Sequence, residues 1–329
     1  MNVYLCLMAP VETTPIREHI IDLDLTPHER WQFLSGYITD MDELLSCYLR
    51  DFEGAESMLL AGMIEYKKNI LPAHYLEEIA CVASFSRFSE DQVLLANLYY
   101  DILKLYFGCT AFAVNTGETT FHCRNLDWHT ENNVLSRHSM IFDFRHDGET
   151  LFKTVGWPGF IGALSGTKPG KFSLTLNAVL SQDPPEVAFP ISFLLRDVLT
   201  SADSYADART MLEQTPIVSD CLILLSGIGA QEHIVIERTP RRAAVRETGE
   251  QFIAVTNDYK KLQNGTGGNI LQATSCSRYD RALTLLREAI PQNNEACLNI
   301  LQDEDVAMQI TVQQMVFNNK TGEISLLRT

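Results

Sequence analysis

The chain has 329 residues, 46% of them hydrophobic and 21% charged, the balance of a globular protein with a substantial core. Its formal net charge of −16 argues against a general nucleic-acid binder and against strong attraction to anionic membranes, both of which call for a basic face. No run of 18 apolar residues exists, so no transmembrane helix is expected. Met1-Asn2-Val3-Tyr4-Leu5-Cys6-Leu7-Met8-Ala9-Pro10 lacks the basic start and apolar core of a signal peptide, and the expected location is cytoplasmic.

In chain order, residues 20–25 (Ile-Ile-Asp-Leu-Asp-Leu) read as a strand, and Thr26-Pro27 opens a helix as N-cap and first helical position. To about residue 105, apolar residues recur at three and four. They do so at Met41, Leu44, Leu45, Tyr48, Leu49 and Phe52, at Leu59, Met63 and Ile64, at Leu76, Ile79, Ala80 and Ala83, and at Val93, Leu94, Leu98, Ile102 and Leu105. Pro72 breaks this series, and the first third is predicted helical.

From Cys109 the period becomes two. Residues 141–144 and 150–155 flank His146-Asp147-Gly148, a hairpin signal. Residues 172–177 form a further strand, followed by helices near 189–201 and 204–214. Strands return at 221–226, 232–238, 242–247 and 251–257. Helices at about 277–289, capped by Ser275 or Ser277, and at 294–302 precede a final hairpin, 308–317 with 323–328. Hairpins interrupted by paired helices imply packed antiparallel sheets with helices on their outer faces. The expected division is a helical region, 1–108, and an α+β catalytic region, 109–329.

Eight cysteines lie at 6, 47, 81, 109, 123, 221, 276 and 297 with no CxxC pair, so neither a structural zinc site nor a disulfide framework is expected. Seven of them read as packing residues. Cys109 is different, because Gly108-Cys109 stands at the junction between helical and sheet patterns. Cleavage there would make Cys109 an N-terminus. An α-amine titrates near about 7.7–8.0, against about 10.4 for a lysine, so it can take the thiol proton at neutral pH. Glycine at 108 adds no bulk and tolerates the backbone angles that attack on its carbonyl would need. Arg124 and Asp127, at the end of the next strand, would favour thiolate and orient the amine.

The competing reading is a buried packing cysteine beside a surface ion pair worth under about 1 kcal/mol. Asn177 and Asn257 at strand ends and Arg278 in the first turn of a helix favour the first reading. A catalytic pocket draws its polar groups from several element ends, and an amide such as that of Asn257 can donate to an oxyanion. The loop Gly156-Trp157-Pro158-Gly159-Phe160-Ile161-Gly162 reads equally as the border of an acyl channel and as a packed turn.

At these residues the sequence resembles the acid ceramidase and N-acylethanolamine acid amidase family of N-terminal nucleophile hydrolases, with bile-salt hydrolases and penicillin V acylases as more distant relatives. The resemblance covers roughly 18–329. It rests on Ile21-Asp22-Leu23-Asp24-Leu25-Thr26-Pro27 with Arg30-Trp31, Cys109-Thr110 with Arg124-Asn125-Leu126-Asp127, the segment from Lys168 to Asn177, Val255-Thr256-Asn257, and Arg278.

It implies a four-layer αββα sandwich preceded by a helical region. It also implies Cys109 as nucleophile, Asp127 as partner of its α-amine, Arg124 lining the site, Asn257 in the oxyanion hole and Arg278 supporting the pocket. Asn177 and Trp157 would contact substrate. The implied activity is hydrolysis of linear lipid amides of the ceramide or N-acylethanolamine type without metal or cofactor. Autoproteolysis at Gly108-Cys109 would precede it, and the 1–108 fragment would stay bound. Two positions depart from the pattern: Ala178 stands where an acid is usual, and Asp258-Tyr259-Lys260-Lys261 replaces Tyr-Asp-x-Trp. Both leave the head group open. The alternatives are an acylase of bile-salt, penicillin-like or acyl-homoserine lactone amides, and a catalytically silent lipid-binding relative.

Overall fold

A computed structural model of the chain describes residues 15–103, 107–184, 186–265 and 273–329. The first strand, β1 (Arg17–Asp22), ends where the Asp22 carboxylate accepts the Asp24 amide, an Asx turn. This closes the strand three residues before the point the sequence pattern suggested. Helix α1 (Pro27–Arg30) opens with the expected Thr26 cap, completed as a capping box by Glu29. Five further helices follow: α2 (Ile38–Arg50), α3 (Glu56–Asn69), α4 (Ala73–Ser84), α5 (Glu90–Asn97) and α6 (Tyr99–Leu103). The helical reading of the first third therefore holds.

The remainder forms two sheets. One has five strands in the order β11-β2-β3-β12-β13, built from β2 (Phe107–Asn115), β3 (Thr120–Trp128), β11 (Phe252–Val255), β12 (Thr311–Asn318) and β13 (Ile324–Arg328). The other has eight, β1-β4-β5-β6-β7-β8-β9-β10, from β4 (Met140–His146), β5 (Glu149–Gly156), β6 (Ser165–Lys168), β7 (Phe172–Asn177), β8 (Cys221–Gly227), β9 (His233–Arg238) and β10 (Ala243–Arg246). The β4–β5 turn places Asp147 at φ 50° and Gly148 at φ 77°, the left-handed pair a two-residue hairpin favours. Strand β1 joins the eight-stranded sheet parallel to β4, so the N-terminal segment is built into the sandwich rather than appended to it.

The sheets pack face to face. Ala111 and Ala113 on β2 meet Leu222 and Leu224 on β8, whereas Phe112 and Val114, pointing the opposite way, meet Leu286 and Cys297 on the outer helices. Those helices are α10 (Ser275–Glu288) and α11 (Asn294–Leu301). The short helix α7 (Val134–His138) leads into β4, and on the other side α8 (Ile191–Ser201) and α9 (Tyr205–Gln214) cover the eight-stranded sheet. The layers are αββα, with the helices of the first third packed beside them.

A buried ion pair is among the links between those helices and the sandwich. Glu78 on α4 is fully buried and takes both guanidinium nitrogens of Arg196 on α8, with Arg30 at 3.0 Å as a third donor. Burial alone would raise the Glu78 carboxyl, but the two arginines outweigh it and hold it below its ordinary range. Glu78→Ala would strand Arg196 without its carboxylate, so unfolding free energy should fall by about 3–5 kcal/mol. Urea denaturation of the two proteins measures this, and a loss under about 1 kcal/mol would make the pair incidental.

Candidate active site

Alternation along β2 and β3 decides which groups meet. Cys109 lies opposite Leu126 and Ala111 opposite Arg124, so Cys109 and Arg124 are diagonal neighbours on the face turned towards the second sheet. Gly108 lies opposite Asp127 and Thr110 opposite Asn125, on the face turned towards the outer helices. Thiol and carboxylate thus sit on opposite faces of the same strand ends. Asp127 can serve the backbone nitrogen at Cys109 but not its sulfur.

On the inner face, Arg124 is buried to 1% exposure, and its Nη2 donates to Cys109 Sγ at 3.2 Å. The same nitrogen reaches Leu176 O, while Nη1 donates to Leu164 O at 2.8 Å and to Ser165 Oγ. Three anchors on the opposite sheet therefore hold one cation against the sulfur. On the outer face, Arg278 Nη1 donates to Cys109 O at 2.7 Å and to Thr110 Oγ1 at 2.8 Å, with Asp127 Oδ2 at 3.8 Å.

Asn257 joins the two groups. Its Oδ1 accepts from the Cys109 amide at 3.1 Å and from Arg278 Nη2 at 2.8 Å, which fixes the orientation of the amide because both partners only donate. Its Nδ2 donates to Ala178 O at 2.8 Å. Ser275 does not cap its helix, where Thr274 takes the cap position. Its hydroxyl instead accepts the Asn257 amide at 2.9 Å and donates to Thr256 Oγ1. Asn177 binds Thr256 O at 3.0 Å and Val255 O at 3.3 Å through Nδ2, and its buried Oδ1 meets no hydrogen-bond donor among the described residues. The candidates from β2, β3, β7, the end of β11 and α10 thus form one connected network.

Trp157 stands apart from that network. Its Nε1 donates to Leu135 O at 2.8 Å and its ring meets Trp128 edge-on at 5.9 Å, within the core shared with the N-terminal helices. The cavity beside it, bounded by Leu44, Tyr48 and Phe160, holds only about 10 Å³. In this conformation the glycine-rich loop is a packed turn. Cys276, read as a packing residue, is exposed, whereas Cys123, Cys221 and Cys297 are buried as expected.

Glycine at 108 has a steric reason. A Cβ there would stand 3.1 Å from Asp127 Cβ and 3.2 Å from Met308 Sδ. A larger residue would push Asp127 off the backbone it faces. Met308 and Arg278 also border a cleft of about 410 Å³ on the helix side, an opening next to this junction. On the other side Tyr100 donates to Asn177 O at 3.3 Å, so a helix of the first third closes over the thiol, and Cys109 is only 1% exposed.

Burial pushes the Asp127 carboxyl above its ordinary range, opposed by Arg278 and by the Thr311 hydroxyl, which donates to Oδ1 at 2.6 Å. A carboxyl raised in the folded state keeps its proton after the unfolded chain, at about 3.9, has lost it. Between those two values the folded state binds more protons, so stability should fall as pH rises. Asp127→Asn should remove that part of the slope. Denaturation midpoints across this acidic window test the point, and identical slopes in the two proteins would contradict it. Thr311 carried no signal in the sequence, because its position depends on a bulge between Thr311 and Gln313 where β12 pairs with β3.

The αββα sandwich, with a cysteine at the head of a central strand and polar groups converging from other strand ends, defines the N-terminal nucleophile hydrolase class of fold. The family model for acyl-coenzyme A:6-aminopenicillanic acid acyl-transferase matches residues 114–325, and the chain belongs to that family. The matched span takes in Arg124, Asp127, Asn177, Asn257 and Arg278 and begins just after Cys109. Acid ceramidase of Balaenoptera acutorostrata scammoni is 28% identical over 259 residues, covering 70% of this chain and 65% of the relative. That of Heterocephalus glaber is 26% identical over 262 residues with the same coverage. The match thus spans about 65% of the length of these curated relatives. A Caenorhabditis elegans ortholog of N-acylethanolamine-hydrolyzing acid amidase superposes with a TM-score of 0.56 at 25% identity, over 65% of this chain and 94% of that one.

Proposed function

We propose that the protein is an amidase that cleaves linear N-acyl amides of lipid type through Cys109, after cutting itself between Gly108 and Cys109. The observation that carries this reading is the placing of Cys109. Its sulfur lies 3.2 Å from a buried guanidinium, its amide nitrogen is on Asn257, and Asp127 faces the glycine before it.

In maturation the thiol adds to the Gly108 carbonyl carbon. The carbon–nitrogen bond breaks, the nitrogen leaves with a proton, and Gly108 is held as a thioester. Asp127, whose burial favours its protonated form, can give that proton, and the proton lost by the thiol restores it through solvent. Water then hydrolyses the thioester, freeing the Cys109 thiol and α-amine and leaving Gly108 as a carboxylate. The 1–108 fragment stays attached, as the pairing of β1 with β4 and the Glu78–Arg196 pair support.

In turnover the α-amine takes the thiol proton and the sulfur attacks the substrate carbonyl. The second hydrogen of Asn257 Nδ2, beside the one given to Ala178 O, is available to the oxyanion. The amine product departs with the proton, and water releases the fatty acid from the acyl-thioester. The kinship with acid ceramidases and the acid amidase ortholog supports a lipid acyl group. For that chain to bind, the packed region around Trp157 must open.

Each methylene buried is worth about 0.8 kcal/mol, so kcat/KM should rise about tenfold for every two carbons added to the acyl chain. A series of N-acyl amides with one fixed amine measures this. A flat profile, or a sharp preference for phenoxyacetyl or steroid acids, would move the assignment to the penicillin or bile-salt branch.

A further inference from the structure

Away from Cys109, a cleft of about 340 Å³ opens between β10, the edge strand β11 and helix α10. Four cations line it, Arg246, Lys260, Lys261 and Arg287, in a chain whose net charge is −16. Two carboxylates share the lining, and both are engaged: Glu250 pairs with Arg287 at 3.2 Å and Glu247 with Arg209 at 3.1 Å. Neither Lys260 nor Lys261 has a carboxylate partner among the described residues. The Lys260 ammonium instead stands 4.6 Å over the Tyr279 ring.

The cleft is braced from behind. Glu237, fully buried, pairs with Arg246 Nε at 2.9 Å and accepts the backbone amides of Lys260, Lys261 and Leu262. One carboxylate therefore locks the guanidinium and the lysine loop in a single geometry. It is spent in doing so. Arg246 is only 8% exposed and lines the cleft; among the described residues its buried Nη2 makes no close hydrogen bond, and the Tyr279 side chain alongside is the guanidinium's looser hydrogen-bonding neighbour. An incoming anion would give that buried donor a well-aligned charged acceptor.

We infer that this cleft is a binding site for a small oxyanion of the phosphate-monoester kind, held by Arg246 Nη2 at its floor and by Lys260 and Lys261 at its mouth. Arginine suits the planar, multi-acceptor face of a phosphoryl group, and the lysines supply mobile charge. The site is separate from the proposed nucleophile. Arg278 and Asn257 turn to Cys109, while Tyr279 and Lys260, one and three residues on, turn to the cleft.

Isothermal titration of the full chain with inorganic phosphate, at constant ionic strength held with chloride, tests this. Saturable one-site binding is expected, weakened at least about tenfold in Lys260→Glu/Lys261→Glu, whose side chains are exposed and do not bear on folding. Arg246→Gln should abolish it in protein that still melts cooperatively, and the lysine variant keeps the test decisive if the arginine variant does not fold. No saturation, or equal binding in the lysine variant, would overturn the site. So would binding to phosphatidic acid vesicles without binding to free phosphate, which would mark a membrane-facing patch.

Discussion

Cys109→Ala is expected to stay a single chain and to lose amide turnover by on the order of 10⁶, the scale on which removing the nucleophile of a catalytic triad acts. The expectation follows from geometry. Arg124 and the Leu176 carbonyl surround the sulfur. Alanine fits the space, so the fold should persist with little change. A gel and a turnover assay on the same preparation separate the outcomes. A Cys109→Ala protein that still cuts itself, or keeps more than about a hundredth of the activity, would place the chemistry on another group.

Asn257→Ala should lower kcat by about 10²–10³, the effect of losing one preorganised oxyanion donor. The same change removes the acceptor shared by the Cys109 nitrogen and Arg278 Nη2, so stability should also fall, by about 1–3 kcal/mol. The two effects are distinguishable. If Asn257 only ties the end of β11 to its neighbours, the melting temperature drops while kcat in the folded fraction stays within a few-fold of wild type. If it holds the oxyanion and the amine, kcat falls at temperatures where the variant is fully folded.

Much of the fold was legible because hydrophobic period reports burial directly. The apolar repeat of the first third gave its helices, and Asp147-Gly148 marked the β4–β5 hairpin through the left-handed angles its turn requires. What failed depended on side-chain hydrogen bonds that apolar period does not report. Residues 20–25 read as one strand, yet Asp22 stops it by bonding to Asp24. Ser275 looked like a helix cap, because serine at a helix start is usually that, but its hydroxyl is claimed by Asn257 and Thr256. The short strand β6 (Ser165–Lys168) carried no alternating pattern, since Ser-Gly-Thr-Lys has no apolar side chain to alternate.

The site was legible at the level of residue type and position. Which face each group takes was not. That Cys109 and Arg124 point inward while Asp127 and Thr110 point outward follows from the β2–β3 register, which a sequence without a fixed turn length does not determine. Trp157 shows the reverse case. Its glycine-rich loop reads equally as a channel border and as a packed turn, and the sequence cannot choose; in the structure the loop packs against the N-terminal helices.

The central claim is that Cys109 becomes an N-terminus before it acts. Intact-mass spectrometry of the purified, active protein tests it most directly, with turnover measured on the same sample. Two species are expected, one ending at Gly108 and one beginning at Cys109, with activity proportional to the cut fraction. Full activity in a chain whose mass is that of the uncut 329 residues would contradict it.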